Sequence, residues 1–389
     1  MRNYQQCKLG DVVDSCLGKM LDQNKNKGIL QPYLANVNVR WGYFDVSDLP
    51  LMRFQKEEDE RYGLRYGDIV VCEGGEPGRC AIWKDQIPNM KIQKALHRIR
   101  VNANVIDFHW LFYWFLLAGR HNALEPYFTG STIKHLPGDK LKQIAISLPE
   151  LHIQQKVASI LSAYDDAIEN NNRRIKILEQ MAENLYKEWF VRMRFPGHET
   201  AEYENGLPKG WNVCKIGAIV DRLPFNRLYK KDELNSEGKV IVVDQSTDEY
   251  IGFHNNEPSH KASMDSPILL FGDHSCKYQL MIQDFSLGEN VVPFHTKDCD
   301  PYFLFFAING IVTTTEYKRH WGELTSRKIL LPESHLQETF SQKLKPLKAQ
   351  QEQLILVNRK LRKQRDRLLP RLMSGKCLVT LNANKAITV

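Results

Sequence analysis

Apolar positions follow two kinds of pattern along the chain. Short apolar runs with period-two alternation, such as those at 68–72 and 239–243, are separated by clusters of Gly, Pro and Asn and predict β-strands. Two other stretches repeat apolar residues every seven positions, which is typical of long helices that pair along an apolar seam. Each strand-rich stretch is followed by one such helix, so the pattern indicates an α+β chain.

The two predicted helices cover about residues 153–190 and 333–372. The first seam contains Val157, Leu161, Tyr164, Ile168, Asn171, Ile175, Leu178 and Leu185, and the second contains Phe340, Leu347, Leu354, Leu361 and Leu368. A single polar position inside such a seam, here Asn171, commonly fixes the register of a helix pair. Neither helix is stable with its apolar stripe in water, so we expect the two to pack together as an antiparallel coiled coil.

An internal repeat organises the chain. The segment 8–13 (KLGDVV) has a counterpart at 215–220 (KIGAIV), and 148–154 (LPELHIQ) recurs at 331–337 (LPESHLQ). Both pairs occur in the same order, which predicts two similar units with a pseudo-two-fold relation, the second having the shorter variable part. We place a first strand-rich domain at 1–148, a long helix at 149–195, a second strand-rich domain at 196–331, and a second helix with its tail at 332–389.

Composition narrows the class of protein. The 389 residues are 42% hydrophobic and 25% charged, and 53 Lys and Arg against 46 Asp and Glu give a net charge of +7, compatible with a polyanionic partner. No apolar run approaches membrane-spanning length, and the first residues lack the apolar segment of a signal peptide, so we expect a cytoplasmic protein without a membrane partner. Eight cysteines without a C-x-x-C pair are expected to be buried or idle thiols.

Motifs for catalysis are absent from the sequence. There is no P-loop, no G-x-G-x-x-G after a strand, no Asn-Pro-Pro-aromatic tetrapeptide, no G-x-S-x-G and no H-E-x-x-H. The spacing of His254, His260, His274 and His295 fits no standard metal site, so we expect surface or hydrogen-bonding histidines. The sequence therefore predicts no catalytic residue, no metal and no cofactor bound by this chain.

Three features suggest a nucleic-acid surface. The first is the basic run 359–367, although a solvated helix face or a face for an acidic subunit explains it too. The second is a pair of loops that precede the long helices, with Ser131, Thr132, Lys134 and His135 in one and Lys318, Arg319, His320, Thr325, Ser326 and Arg327 in the other. A structural turn explains either loop equally well. The third is Arg40 and Tyr43 together with Arg79, where the alternative is an aromatic core.

Several of these stretches resemble one family, the specificity (S) subunits of type I restriction-modification systems. The segment LPE at 148–150 with QQKVASILSA at 154–163 and DDAIE at 165–169 is similar to the start of that family's central conserved region. EWFV at 188–191 is similar to its end, LLPRLMSG at 368–375 to the C-terminal signature, and YGDIVV at 66–71 with GEPG at 75–78 to a recognition-domain hairpin.

The resemblance implies two target-recognition domains, each reading one half of an asymmetric bipartite site in double-stranded DNA, with the helix pair fixing the gap. It also implies two adenine-methylating modification subunits and two restriction subunits as partners. These partners would carry S-adenosylmethionine, ATP and Mg. Two other interpretations stay open. A coiled-coil assembly adaptor without DNA readout predicts no salt-dependent duplex binding, and a self-contained enzyme predicts activity of the purified chain.

Overall fold

The computed structural model describes residues 4–22, 26–225, 227–246, 248–314, 316 and 318–375. Backbone contacts divide the chain into unit 1 (Met1–Glu169 with Asn358–Val389) and unit 2 (Asn170–Val357). The division cuts both long helices, so each unit combines a globular part with one stretch of each helix. The borders predicted after residues 148 and 331 lie where a strand ends and a long helix follows. The tail at 376–389 lies outside the described residues.

The elements that form the two larger sheets of each half, and the long helix after them, occur in the same order in both halves. In chain order, the first half contains β1 (Gln5–Lys8), β2 (Val13–Leu17), β3 (Ile29–Leu34), β4 (Val39–Arg40), β5 (Tyr43–Phe44), β6 (Leu51–Phe54), α1 (Asp59–Tyr62), β7 (Ile69–Cys72), β8 (Cys80–Ile82), β9 (Lys91–Ile92), β10 (Leu96–Val101), α2 (Phe108–Arg120), α3 (Gly138–Gln143), β11 (Ala145–Leu148) and α4 (Leu151–Tyr186). The second half contains β12 (Tyr203–Glu204), β13 (Leu207–Pro208), β14 (Asn212–Lys215), β15 (Val220–Arg222), β16 (Val240–Val243), β17 (Gly252–His254), β18 (Ile268–Gly272), β19 (Tyr278–Met281), β20 (Phe285–Leu287), β21 (Val291–Thr296), α5 (Pro301–Ile308), α6 (Trp321–Ser326), β22 (Lys328–Leu331) and α7 (Ser334–Met373).

Unit 1 is built on an antiparallel sheet of order β2-β10-β7-β8. Strand β7 is buried on both faces, which explains its continuous apolar sequence. Ile69 and Val71 face a core with α2, whereas Val70 and Cys72 face a second core that includes Leu34 of β3. The second core lies under the sheet β6-β3-β9, in which β3 pairs antiparallel with β6 and parallel with β9.

Unit 2 repeats the topology of these two sheets strand for strand, whereas among the described residues β4–β5 has no counterpart in unit 2 and β12–β13 none in unit 1. Its main sheet has the order β15-β21-β18-β19, and a second sheet of order β17-β16-β20 has the same antiparallel and parallel pairings as β6-β3-β9. Leu269 and Phe271 of β18 face α5, while Ile268 and Leu270 face β16 and β20. The internal repeat predicted from the sequence is therefore confirmed.

The repeat extends to single hydrogen bonds at the start of each long helix. Gln154 accepts a hydrogen bond from the Asp107 N–H at 3.0 Å and donates to the Pro149 carbonyl at 2.8 Å. Gln337 accepts from the Asp300 N–H at 2.9 Å and donates to the Pro332 carbonyl at 2.7 Å. Asp107 and Asp300 in turn cap the N-termini of α2 and α5. Both glutamines thus anchor a helix of the globular part to a long helix.

The two long helices run antiparallel within each unit, as predicted. In unit 1, Asp165 bonds Arg365, and Leu161, nearer the start of α4, shares a core with Leu372, further along α7. In unit 2, the Phe340 ring lies 6.2 Å from that of Tyr186 and 5.8 Å from that of Trp189. A π-helical turn at Lys187–Val191 ends the first helix.

The seam is more polar than the seven-residue pattern indicated. The structure buries Val157, Leu161, Ile168, Asn171, Leu178, Phe340 and Leu354, and it half-buries Tyr164, Ile175, Leu185, Leu347, Leu361 and Leu368. A second line on α7, absent from our prediction, contains Leu344, Gln351, Asn358, Arg365 and Leu372. Three of its five members are polar, so an apolar periodicity could not mark it. Within the described ranges, no helix has both the length and the apolar character needed to cross a bilayer.

Candidate nucleic-acid interface

In unit 1, the predicted surface features meet at the end of the main sheet where β7 passes into β8. The Leu136 N–H donates to the Glu73 carbonyl at 2.7 Å, which ties the loop before α3 to the 73–79 loop. The Gly42 N–H donates to the Cys80 carbonyl at 3.0 Å, which brings the β4–β5 hairpin to the same place. Two features that lie far apart in the sequence thus form one continuous surface.

The loop before α3 is a small hairpin with an exposed tip. Thr129 and His135 exchange two backbone hydrogen bonds of 2.8 Å, and Gly130 between them has φ +92°. Any side chain at Gly130 would meet the Ile133 carbonyl oxygen, so the turn requires glycine. The turn exposes the residues that we predicted to contact DNA: Ser131, Thr132, Lys134 and His135.

Lys134 is partly neutralised by a neighbour. Its ammonium group pairs with the Glu125 carboxylate, and this bond lowers the pKa of Glu125. The pair is exposed on both sides, so the lysine is free to exchange this partner for a phosphate at little cost. Two hydroxyls, an imidazole and a lysine on one short turn are donors that proteins use to position nucleic-acid backbones.

The third predicted feature, Arg40 and Tyr43 together with Arg79, contains both surface residues and a residue that holds a loop. Tyr43 is exposed and sits opposite the half-buried Arg40 in the β4–β5 pair, so both stay candidates. Arg79, in contrast, donates to the Asn36 carbonyl and to the Glu76 carboxylate, each at 3.1 Å, and only 15% of its side chain is exposed. Its guanidinium group therefore holds the 73–79 loop together, and its contact with DNA stays a prediction.

The matching segment of unit 2 also contains both exposed and buried residues. Lys318 and Arg319 are exposed, but His320 is completely buried, so its predicted DNA contact is wrong. The His320 ring bonds the Glu323 carboxylate at 3.2 Å and the Glu316 carbonyl at 3.3 Å. Its backbone N–H donates to the Asp273 carbonyl at 2.8 Å, which fixes the segment to the end of β18 as Leu136 does in unit 1.

The remaining predicted residues of this segment belong to α6 and its C-terminal end. The Thr325 and Ser326 hydroxyls donate to carbonyls of their own helix, at Trp321 and Glu323, over 3.1 and 2.7 Å. Arg327 pairs with Glu323 at 2.8 Å, and hydrogen bonds from Arg327 and His320 lower the pKa of this carboxyl. These groups stabilise a six-residue helix, and we place them outside the candidate surface.

A concave site in unit 2 was not predicted from the sequence. It has a volume of about 320 Å³ and lies at the end of the main sheet that corresponds to the 73–79 loop of unit 1. The lining includes Arg222 at the end of β15, Asn290 just before β21, and Arg319. These positions are up to about a hundred residues apart and carry no motif, so only the fold could bring them together.

The basic run 359–367 also contains a structural member. Arg365 bonds Asp165 across the helix pair and Asp366 at 2.8 Å, and Asp366 accepts from Arg120 of α2 at 3.0 Å. The Tyr113 hydroxyl completes this network by donating to Asp165 at 2.5 Å. The exposed cations of the run are Lys360, Arg362, Lys363 and Arg367, and the phosphate, solvated-face and acidic-subunit interpretations all stay open.

The histidines of unit 2 take part in hydrogen bonding. His254 Nδ1 accepts from the Asn256 N–H at 3.1 Å, so Nε2 carries the proton that reaches the Ser286 hydroxyl at 2.9 Å. Burial lowers the pKa of both His254 and His260, which favours neutral rings. Among the described residues, no three His, Cys, Asp or Glu side chains are grouped so that they could hold a metal ion.

Comparison with known proteins finds one matching family model and several relatives with the same family name. Residues 1–180 match the family model of the type I restriction modification DNA specificity domain. The chain is 27% identical over 349 residues to the type I restriction enzyme MjaIX specificity subunit of Methanocaldococcus jannaschii, covering 80% of this chain and 78% of the relative. It is 24% identical to a candidate specificity subunit of the same organism, MjaX, over 97% of this chain and 94% of that protein.

Residues 1–180 thus resemble the DNA specificity domain of type I restriction-modification systems, and the two relatives extend the resemblance over most of the chain. A crystal structure of the type I restriction-modification S subunit from M. genitalium shares the fold, with a TM-score of 0.55 and 16% identity, over 95% of this chain and 96% of that one. The predicted fold class is confirmed, and the matches support the predicted family. The family description assigns DNA specificity to the segment that contains the hairpin tip at 130–135 and the β4–β5 pair.

Proposed function

We propose that this chain reads DNA sequence for a type I restriction-modification complex. The observation that carries the proposal is the duplicated scaffold, in which the same strands present different loops at the same end of the main sheet. A scaffold that is constant in its core and varied at one end is suited to recognising two different sequences. Each unit would read one half of an asymmetric bipartite target.

The helices contribute the second part of the proposal. Their paired seams connect the two readers, and the length of α4 and α7 would set the number of unread base pairs between the half-sites. Half-sites presented alike to two related readers lie about one helical turn, ~34–36 Å, apart in dimeric DNA-binding proteins. The seam would therefore act as a spacer and the loops as readers.

Catalysis would belong to partner subunits. Specificity subunits of type I enzymes are in general non-catalytic, and we infer that two modification subunits supply S-adenosylmethionine-dependent adenine methylation. Two restriction subunits would supply the ATP- and Mg-dependent reactions. The assembled complex would act on double-stranded DNA in the cytoplasm.

A methylome comparison tests the proposal. The host would be sequenced for N6-methyladenine with and without this gene, with its modification partner left in place. We expect an asymmetric bipartite methylated motif to vanish on deletion and to return on complementation. Unchanged methylation would favour an assembly adaptor and contradict the proposal.

Domain exchange refines the test. Replacing residues 10–148 with the first recognition domain of another family member is expected to change one half of the motif and leave the other half and the gap unchanged. A change in both halves, or in neither, would contradict the assignment of one reader to each half-site. Insertion of seven residues in α4 near Asn172 is expected to alter the gap or abolish assembly, with both half-sites retained.

A further inference from the structure

The concave site of unit 2 has a rigid floor and polar walls. Trp321 at the start of α6 packs against the core, with its ring tilted and 5.1 Å from that of Phe294 and 6.1 Å from that of Phe271. Phe225 and Leu228 form a partly exposed apolar side. A concave site of about 320 Å³ that combines one apolar side with several convergent polar groups has the size of a specific binding pocket.

Two arginines line this site with little neutralisation. Arg319 is 82% exposed, and its nearest carboxylate oxygen is Asp273 Oδ2, 3.9 Å from Nε and beyond hydrogen-bond distance. Asp273 uses its other oxygen to accept the backbone N–H groups of His320 and Trp321, at 3.0 and 2.8 Å. Arg222 is exposed and lies 5.9 Å from the Phe225 ring, and no carboxylate of the described residues is within ion-pair distance of it.

Asn290 adds an amide to the lining of the site. Its backbone has φ +60°, and its carbonyl accepts the Asp273 N–H at 2.8 Å, so the residue is held firmly in place. Asn and Arg side chains are the groups that most often make paired hydrogen bonds to the edges of adenine and guanine. The lining therefore combines base-reading side chains with a rigid backbone.

The duplicated scaffold shows that these groups are particular to unit 2. The strand registers show that Ser15 of β2 in unit 1 is equivalent to Arg222 of β15 in unit 2. Each of the two residues pairs with the same position of the neighbouring strand in its own sheet. Ala95 occupies the position of Asn290, again with positive φ, and its carbonyl accepts the Glu73 N–H at 2.8 Å. The backbone is the same in both units, but unit 1 presents a hydroxyl and a methyl group where unit 2 presents a guanidinium and an amide.

We infer that the site lined by Arg222, Asn290 and Arg319 binds the edges of DNA bases and determines the sequence of the half-site read by unit 2. The inference rests on the proposed function and adds to it the side chains of one reader. A scaffold kept in both units, with different donors at equivalent positions, is the arrangement expected where two half-sites differ.

The test uses the full-length chain in complex with its modification subunits and a DNA library randomised across both half-sites. Selected DNA is sequenced for the wild type and for Arg222→Ala, Asn290→Gly, Arg319→Ala and Arg319→Lys. Glycine at 290 removes the amide but allows the positive φ, and Arg319 is exposed enough that its loss leaves the fold intact. Arg194→Ala is the matched control, because Arg194 is also exposed and lies 3.6 Å from a single carboxylate, that of Glu188.

We expect each substitution to weaken discrimination at one or two positions of one half-site by roughly ten- to a hundred-fold, with the other half-site unchanged. Arg319→Lys is expected to lose discrimination as Arg319→Ala does, since lysine lacks the two-pronged donor. An unchanged motif would overturn the inference. Equal weakening of binding to all sequences, with Arg319→Lys behaving as wild type, would also overturn it, because it would show contact with phosphates only. In either case a bipartite motif selected by the wild type leaves the proposed function standing, whereas a wild type that selects no motif overturns both.

Discussion

Gln154 and Gln337 are equivalent residues of the two units, so the effect of the same substitution on stability can be tested at both. Each side chain is almost completely buried and links the first turn of a long helix to the N-cap of α2 or α5. Gln154 makes three hydrogen bonds, to the Asp107 N–H, the Pro149 carbonyl and, at 3.1 Å, the Val105 carbonyl. Substitution by alanine leaves one donor and two acceptors without this partner.

The loss in free energy of unfolding depends on the number of buried polar groups that the substitution leaves unpaired. A buried polar group that loses its partner costs about 1–3 kcal/mol, and water entering the vacated space recovers part of this. We therefore expect Gln154→Ala to lower the free energy of unfolding of unit 1 by about 3 kcal/mol. Gln337→Ala, with two hydrogen bonds lost, is expected to lower that of unit 2 by about 2 kcal/mol.

Hydrogen exchange with peptide resolution measures the two units separately. Amide exchange is expected to accelerate first in the segment around Asp107 for Gln154→Ala and around Asp300 for Gln337→Ala. The exposed neighbours provide controls with the same chemistry on the same helices: Gln155→Ala and Gln342→Ala are expected to change stability by less than about 0.5 kcal/mol.

The reasoning would be refuted if Gln154→Ala and Gln337→Ala were as mild as their exposed controls. It would also be refuted if faster exchange appeared in the distant sheet β6-β3-β9 before it appeared at the capped helices. A cost in one unit and none in the other would contradict the equivalence of the two sites.

Three further changes test the packing. Phe340→Ala should destabilise unit 2 by about 3–5 kcal/mol, because the fully buried ring meets several aromatic neighbours, and Phe340→Leu should cost less than half as much in denaturant titrations. Arg365→Met should cost about 2–3 kcal/mol by leaving a partly buried carboxylate unpaired, and adding Asp165→Asn should recover most of that loss in the same assay. Burial lowers the pKa of His97 below its ordinary value of 6.5, so the unfolded chain binds more protons and stability should fall as the pH drops below about 6.5. Thermal unfolding of His97→Asn at about pH 7.5 and about pH 5.5 should show a smaller loss than wild type, and an equal loss would contradict the assignment.

The candidate surface shows which exposed residues could be predicted from the local sequence and which could not. The exposed hairpin tip at 131–135 was predictable because Gly130 and its polar neighbours are a local turn signal. Arg79 and His320 occur in equally polar segments, yet the fold turns both inward to hold loops together. Whether a polar side chain faces solvent depends on backbone that arrives from elsewhere in the chain, here Asn36 and Asp273, and no window of sequence contains that information.

The sequence by itself determined the elements and their repetition. Strand runs at 69–72 and 240–243, two long helices and two matching units follow from periodicity and from recurring segments, because these patterns act within one element or between copies of one segment. Only the tertiary structure decided that Arg222, Asn290 and Arg319 share a pocket, and that Gln351 and Asn358 belong to the helix seam. Burial and convergence are properties of contacts between residues distant in the chain, and their energies depend on partners that the local pattern does not specify.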